Sequence, residues 1–300
     1  MTIAGTPAVA TKAGRPRLGG RRFSLDWVGT VPFFAYVLLF LLLPSAIVAF
    51  GAFFDAGNVF TSVNFAHLSR TYVVKATIDT IFISAVTAIV GASLGAILAY
   101  AIVTGRPDSI LRRLVVSASG VLAQFGGVTL AFAFIASIGP AGIVYLFFQS
   151  HGIDWYANGI WLFQIPGLIV VYLYFQIPLM VLVFLPALDG IKPQWREATE
   201  SLGGSTWHYW RHVAGPILFP AFLGATLLLF ANAFSAYATA QALINQGGPV
   251  LAQQIAGALS SEVGAAEPGF AKAIAVEMIV IVTLVTVLYS LLQRRTARWL

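Results

Sequence analysis

Six stretches of this sequence are each long and apolar enough to form a helix that crosses a membrane, which takes about 20 residues. Of the 300 residues, 59% are hydrophobic and only 9% are charged, too few to cover the surface of a soluble protein of this size. The sequence therefore predicts an all-α, polytopic membrane protein with six transmembrane helices. The predicted spans run approximately over Val31–Phe54, Thr80–Thr104, Leu114–Phe148, Trp161–Pro186, Ile217–Ala240 and Phe270–Leu292.

The third predicted span is longer than a simple crossing needs. It contains Gly126, Gly127, Gly139 and Pro140, and glycine and proline are the residues that most often interrupt or bend a helix. We therefore expect a bend or a re-entrant end within this span.

The basic residues predict how the chain is oriented, because lysine and arginine are retained on the cytoplasmic side of a membrane. All but Arg70, Lys75 and Lys272 of the 17 basic residues fall in the N-terminal tail, the second-to-third connection, the segment 187–216 or the C-terminus. Both termini and that segment are therefore predicted to be cytoplasmic. Residues 1–26 have no apolar stretch of their own and are predicted to form a flexible cytoplasmic tail rather than a signal peptide.

The segment 187–216 is polar and lies between two strongly hydrophobic stretches. It begins with charged residues, has a glycine pair at Gly203 and Gly204, resumes with aromatic residues, and reaches prolines at Pro216 and Pro220. Glycine commonly ends a helix, and proline stops one. The pattern therefore predicts two short helices joined by a glycine turn, with the second helix stopping at the prolines.

This segment resembles the EAA loop of ABC importer permeases, whose pattern begins Glu-Ala-Ala, continues to a glycine and ends near a Leu-Pro pair. Two residues depart from it: Thr199 replaces the second alanine, and Gly215 precedes the proline where leucine is usual. The matching positions are Glu197, Ala198, Gly203, Trp207, Val213 and Pro216.

The resemblance implies a type I ABC importer permease of the bacterial plasma (inner) membrane, with residues 27–300 as its transmembrane domain. Residues 187–216, the coupling loop, would seat in a groove of a cytoplasmic ATPase dimer and move with it. The implied partners also include a second permease subunit or a second copy of this chain, an extracytoplasmic solute-binding protein and membrane lipid. The residues assigned to ATPase coupling are Glu197, Ala198, Gly203, Trp207, Tyr209, Trp210, Val213 and Pro216.

The coupling loop has a second interpretation, which is an ordinary cytoplasmic loop whose aromatic side chains lie at the membrane surface. For docking, a short helix needs an apolar anchor, a fixed angle and a polar rim. Trp207, Tyr209 and Trp210 are candidate anchors, Gly203 permits the angle, and Glu197, Glu200 and Arg211 are candidates for the rim.

Several other functions are excluded or disfavoured by the sequence. There is no Gly-x-x-x-x-Gly-Lys-Ser/Thr motif, so we expect no ATP hydrolysis by this chain and assign that reaction to a separate subunit. The absence of cysteine excludes disulfides and thiolate sites.

His208 and His212 have no acidic neighbour suited to a metal site, and the basic residues do not form a nucleic-acid surface. We expect no cofactor, metal or nucleic acid. A membrane enzyme and a channel or scaffold are the competing classes.

The translocation path is predicted from polar residues in apolar surroundings. Asp79 and Glu277 are ionisable groups near the outer ends of their spans, and such groups usually face a cavity or a partner. For Asp79 the favoured alternative is a side chain that reaches the membrane surface, whereas Glu277 lies about two turns inside its span. Asn232, Ser235 and Tyr237 belong to the predicted fifth span, which the resemblance suggests lines the path, although hydrogen bonding between helices is an equal alternative.

The two carboxylates, if they face the pore, favour a cationic or zwitterionic solute. The stretch Phe230–Leu243 likewise resembles permeases of the polyamine, aminophosphonate, iron and thiamine branch. A sugar-type importer permease is the alternative.

Overall fold

The computed structural model describes residues 26–55, 57, 59–105, 109–244, 247–260 and 266–296. Apart from Asp26, the predicted tail lies outside this part of the chain. The described residues form helices, turns and an isolated bridge between Phe54 and Phe60, and no strand, which confirms the all-α class. The helices are α1 (Asp26–Val37), a π-helical turn (Leu38–Leu42), α2 (Leu43–Gly51), α3 (Val63–Ala66), a 3-10 turn (His67–Ser69), α4 (Thr71–Val103), α5 (Ile110–Gln124), α6 (Gly127–Ile138), α7 (Ile143–Ser150), a 3-10 turn (Trp161–Phe163), α8 (Ile165–Asp189), α9 (Pro193–Ser201), α10 (Thr206–Tyr209), a π-helical turn (Trp210–Ala214), α11 (Gly215–Phe234), α12 (Ala238–Leu243), α13 (Leu251–Leu259) and α14 (Pro268–Thr296).

Six helical segments of the described chain are long and apolar enough to cross a membrane, which confirms the predicted number. The second of them begins at Thr71, well before the predicted start at Thr80, because Lys75 and Asp79 lie in the first turns of a helix that they do not interrupt. Such polar side chains at the end of a span reach the membrane surface. The six segments are Thr30–Gly51, Thr71–Val103, Gly127–Ser150, Ile165–Asp189, Thr206–Phe234 and Pro268–Leu291.

The long third stretch is broken at two places, as its glycines predicted. Between α5 and α6 the chain turns at Gly126, and Gly127 has a φ of +72°, a conformation that glycine adopts without strain. The Gly127 N–H donates to the Thr239 hydroxyl at 2.9 Å. The second break separates α6 from α7 at residues 139–142. The stretch therefore consists of three helices, and not of one bent span.

The chain divides into two compact units, Met1–Ile47 and Val48–Leu300. In the first unit, none of the side chains described for residues 30–47 is buried, and Phe33, Phe34 and Phe40 are exposed. An apolar helix with this exposure is suited to contact lipid or another membrane helix.

The core of the second unit is the close contact between α4 and α8. Its α4 side consists mostly of small residues, and a Cβ at Gly95 would lie 2.7 Å from the Ile177 carbonyl oxygen. Small residues let two backbones approach closely, so that dispersion contacts stabilise a helix pair inside lipid. The buried small residues are Thr80, Ser84, Thr87, Ala88, Gly91, Ala92, Gly95 and Ala99.

Two hydrogen bonds connect α8 with α11 and the residues that follow it. The buried amide of Gln176 donates to the Leu229 carbonyl at 2.8 Å, and the Tyr172 hydroxyl donates to the Ala236 carbonyl at 3.0 Å. Polar contacts of this kind fix the register of helices that apolar packing alone would let slide. The three helices α4, α8 and α11 therefore form one packed body.

The predicted fifth span, Ile217–Ala240, is wrong at its second boundary, because α11 ends at Phe234. The Ser235 N–H and hydroxyl both donate to the Ala231 carbonyl, at 3.1 and 3.0 Å, and Ser235 is the C-cap residue of this helix. Asn232 lies within α11, whereas Ser235 and Tyr237 lie beyond it and precede α12.

Candidate coupling site

The coupling loop begins at the last turn of α8, which is attached to α5. Arg112 Nη2 and Asp189 Oδ2 form an ion pair at 2.6 Å, and the Arg112 side chain is largely buried. The Gly190 N–H then donates to the Pro186 carbonyl and ends the helix. The entry to the loop is therefore fixed to two helices of the core.

The glycine turn after α9 is a helix cap that requires both of its glycines. Gly203 has a φ of +78°, and its N–H donates to the Glu200 carbonyl, while the Gly204 N–H donates to the Thr199 carbonyl, both at 2.9 Å. These two bonds form a Schellman motif. A Cβ at Gly204 would lie 2.9 Å from the Thr199 carbonyl oxygen. The predicted glycine turn between two helices is therefore present, and it sets a sharp angle.

The second helix does not stop at the prolines, contrary to the prediction. Ser205 caps α10 by accepting from the His208 N–H, and the chain continues through the π-helical turn into α11. The Gly215 N–H bonds to the Trp210 carbonyl across this wide turn, and Pro216 occupies the first turn of α11. Proline is tolerated there because it has no N–H to satisfy. A Cβ at Gly215 would collide with the Trp210 carbonyl oxygen, which explains the departure from leucine.

The aromatic residues of the coupling loop point in different directions. Trp207 is 69% exposed, whereas Tyr209 is only 8% exposed and the Trp210 ring packs edge-on against Tyr100 of α4, with centroids 5.1 Å apart. Leu202, at the glycine turn, is 89% exposed. Of the three predicted anchors, Trp207 alone is exposed enough to contact a partner. Leu202 is a second exposed apolar side chain, which was not among the predicted anchors.

We call the exposed Leu202 and Trp207 the tip of the coupling loop. Exposed charged side chains are close to them in sequence. Arg196 Nε and Glu200 Oε1 form an exposed ion pair at 3.0 Å, and the hydrogen bond to Glu200 raises the pKa of Arg196. Glu197 and Ala198 are exposed on the same helix, α9, whereas Val213 and Pro216 are half-buried where the loop joins α11. The exposed surface of the loop therefore carries charged side chains as well as the apolar Leu202 and Trp207.

The coupling loop is connected to the core at three places. The first is the end of α8 with its Arg112–Asp189 ion pair, the second is the unbroken helical path into α11, and the third is the Tyr100–Trp210 contact with α4. Because α4, α8 and α11 are packed together, all three connections lead to one packed body.

The residues predicted for the translocation path are not gathered in one place. Glu277 Oε1 accepts a hydrogen bond from the Thr77 hydroxyl at 2.8 Å, between α14 and α4, and both Asp79 and Asn232 are half-buried. Tyr237 alone among the five lines the polar cavity bounded by α12, α13 and the start of α4. The amides of Gln253 and Gln254, which line that cavity too, were not selected from the sequence. Within the described residues, no group of His, Asp and Glu is arranged to hold a metal.

Known proteins with similar sequences are transport permeases. The thiamine transport system permease protein ThiP of Escherichia coli is 27% identical over 118 residues, which are 39% of this chain and 21% of that protein. The probable ABC transporter permease protein y4fN of Sinorhizobium fredii is 27% identical over 238 residues, 76% of this chain and 40% of that protein. The chain thus spans less than half the length of these relatives. No protein-family model matches the sequence.

The comparison of folds gives the same result. One chain of the crystal structure of a bacterial alginate ABC transporter, in complex with an alginate pentasaccharide-bound periplasmic protein, superposes with a TM-score of 0.73. The match has 16% identity and covers 90% of this chain and 94% of that chain. This is the fold of an ABC importer permease. The resemblance first inferred from residues 197–216 is confirmed, and within this permease fold the coupling loop joins the fourth and fifth membrane-spanning segments.

Replacing Gly203 with alanine tests the glycine cap. We expect a cost of about 1 kcal/mol, because alanine is strained at positive φ while no atom lies within 4 Å of the added Cβ. Amide hydrogen exchange in α9 should then be roughly fivefold faster. Gly190→Ala is the matched control, since Gly190 has a φ of −72°. Equal exchange in both variants would contradict the proposed role of the cap.

Proposed function

We propose that this chain is the permease subunit of an ATP-driven ABC importer and that its coupling loop docks on a cytoplasmic ATPase. The observation that carries the proposal is the tip of the loop, where Leu202 and Trp207 are exposed on a capped and rigid turn. Exposed apolar side chains surrounded by charged ones are typical of a docking surface. The competing interpretation, an interfacial membrane loop, would place these two side chains in lipid, and the experiments below distinguish the two.

The proposed mechanism is mechanical. Closure of the ATPase dimer on ATP would displace the tip, and the displacement would pass along the helical path into α11 and through the Arg112–Asp189 pair into α8 and α5. Hydrolysis itself belongs to the ATPase subunit. Glu197 and Arg196 on α9 would contact the edge of the ATPase cleft and set the orientation of docking.

The other proposed partners follow from the architecture of an importer. The alginate neighbour is described in complex with a periplasmic protein, and we infer a comparable solute-binding protein here. A second permease, or a second copy of this chain, would supply the other loop for a dimeric ATPase. In this arrangement both termini are cytoplasmic and the chain lies in the bacterial inner membrane, as the positions of its basic residues support.

The solute class is a separate part of the proposal. The expectation of a polyamine, an aminophosphonate or a similar charged solute depends on Asp79 and Glu277. The Thr77 hydroxyl occupies one oxygen of Glu277, and neither carboxylate lines the polar cavity beside Tyr237. The ThiP relative belongs to a thiamine transport system by its name, and the alginate neighbour is involved in the import of an acidic polysaccharide. The alternative solute class, a sugar, is consistent with the uncharged side chains among the described residues that line this cavity.

Purification of the tagged chain in a mild detergent tests the function directly. We expect a polypeptide with ATPase activity to co-purify, and we expect that activity to rise when the matching binding protein and its solute are added. A channel or scaffold would be isolated without an ATPase. Isolation of the intact chain with no nucleotide-hydrolysing partner would therefore overturn the proposed function.

A further inference from the structure

A polar cavity of about 410 Å³ lies at the end of the second unit remote from the coupling loop. It is bounded by α12, by α13 and by the first turn of α4. Its lining includes Tyr72, Tyr237, Gln241, Gln253, Gln254 and Ser260, together with glycines, and none of these lining residues carries a charge. Two tyrosine rings and three amides in one cavity are suited to bind a small polar molecule.

Buried hydrogen bonds hold the walls of this cavity in place. Gln253 is 5% exposed, and its Nε2 donates to Gln241 Oε1 at 3.0 Å and to the Ile244 carbonyl at 2.6 Å. The Leu251 N–H donates to the Thr80 hydroxyl at 2.9 Å. Thr80 lies about 14 Å along α4 from its first residue, at 1.5 Å per residue. The segment before α13 therefore extends into the helix bundle. Because these hydrogen bonds hold the wall residues, the cavity is already formed in the absence of a solute.

Several polar atoms of the lining are unused by the described chain. Gln254 Nε2 donates to the Gly248 carbonyl at 2.6 Å, which leaves Gln254 Oε1 as a free acceptor. Gln241 accepts through Oε1 alone, so its amide N–H groups have no acceptor among the described residues, and the Tyr237 hydroxyl has none either. The described lining thus offers both donors and acceptors, and none of its side chains would supply a countercharge for an ion.

We propose that this cavity is a solute subsite and that its solute is an uncharged molecule bearing hydroxyl or amide groups. The proposal rests on the proposed importer function. An ion held here would lose hydration without a compensating charge, which is unfavourable. The charged residues Arg70 and Glu267 line an adjacent cavity, where they form an ion pair at 3.2 Å. Hydroxyl groups would bond to the free amides, while the faces of Tyr72 and Tyr237 would contact the apolar side of the solute.

The chain has no cysteine, so single-cysteine variants report on the cavity without background. We expect Gln254→Cys and Gln241→Cys, in intact cells, to react with the cationic trimethylammonium-ethyl and the anionic sulfonato-ethyl methanethiosulfonates. The ratio of the two reaction rates should equal that of Ser150→Cys, an exposed control outside the described lining of the cavity. A charged site would favour one reagent by about tenfold or more. Such a preference in both variants, or failure of both to react, would overturn the proposal.

Protection by solutes tests the chemical class. With the assembled importer, we expect at least one uncharged probe among trehalose, maltose and myo-inositol to slow modification of Gln254→Cys severalfold, and spermidine and aminoethylphosphonate to have no effect. Protection by none of the uncharged probes, or by a charged probe, overturns the inference. The same membranes are assayed for the co-purifying ATPase. If the ATPase co-purifies but the protection test fails, the subsite alone is refuted. If no ATPase co-purifies, the importer function is refuted.

Discussion

Replacing Leu202 and Trp207 together with glutamate is expected to lower the amount of ATPase that co-purifies with the chain by more than about tenfold. Both side chains project from the coupling loop, at 89% and 69% exposure, and contribute little to packing within the chain. In an apolar cleft of the partner, each carboxylate would lose its hydration without a compensating charge. The measurement is the molar ratio of ATPase to permease after purification in a mild detergent.

The matched control is the pair Gln194→Glu and His212→Glu. Both positions are exposed on the same loop and receive the same side chain, but neither belongs to the apolar tip. We expect this control to retain most of the ATPase. If both double variants lost the partner equally, net charge would explain the result and the assignment of the tip would fail. If neither lost it, the docking surface would lie elsewhere.

Replacing Gly95 with leucine is expected to prevent stable folding of the transmembrane domain. A Cβ at this position would already lie 2.5 Å from the Met180 Cβ and 2.7 Å from the Ile177 carbonyl oxygen, so α8 would have to withdraw from α4. Overpacking in a well-packed core costs about 3 kcal/mol or more when backbone must move. The measurement is the melting temperature and the yield of monodisperse protein in detergent.

Gly120→Leu is the control for this substitution. Gly120 lies within α5, and no atom lies within 4 Å of its added Cβ. We expect this variant to be close to the wild type in yield and melting temperature. The α4–α8 contact described above would be incorrect if Gly95→Leu behaved as well as Gly120→Leu.

The number of spans could be predicted from the sequence because the hydrocarbon thickness sets the length of an apolar helix. Their ends could not, since a helix does not stop where hydrophobicity stops. In α4 the helix extends past Asp79 and Lys75 to Thr71. In the opposite sense, α11 ends at Phe234 although the sequence remains mostly apolar to Ala240. Beyond that end the chain turns into α12, which packs against α6, and this tertiary contact is not visible in hydropathy.

In the coupling loop, too, the features that depend on local sequence could be predicted, and those that depend on tertiary contacts could not. The glycine turn was predictable because positive φ at Gly203 is a property of that residue. The continuation through Pro216 was not, because it depends on a wide helical turn that removes the need for a proline N–H. Tyr209 and Trp210 pointed inward because Tyr100 and the core offered them partners, while Leu202 was left exposed. Which side of a short helix is buried depends on residues distant in sequence.

The most direct test of the central claim is photo-crosslinking from the tip of the coupling loop in intact cells. A photoreactive phenylalanine analogue at Leu202 is predicted to form a covalent adduct with a cytoplasmic polypeptide that hydrolyses ATP. The same analogue at Ile153, an exposed residue far from the loop in sequence, should not capture it. Adducts of position 202 with lipid alone or with an extracytoplasmic protein would contradict the account.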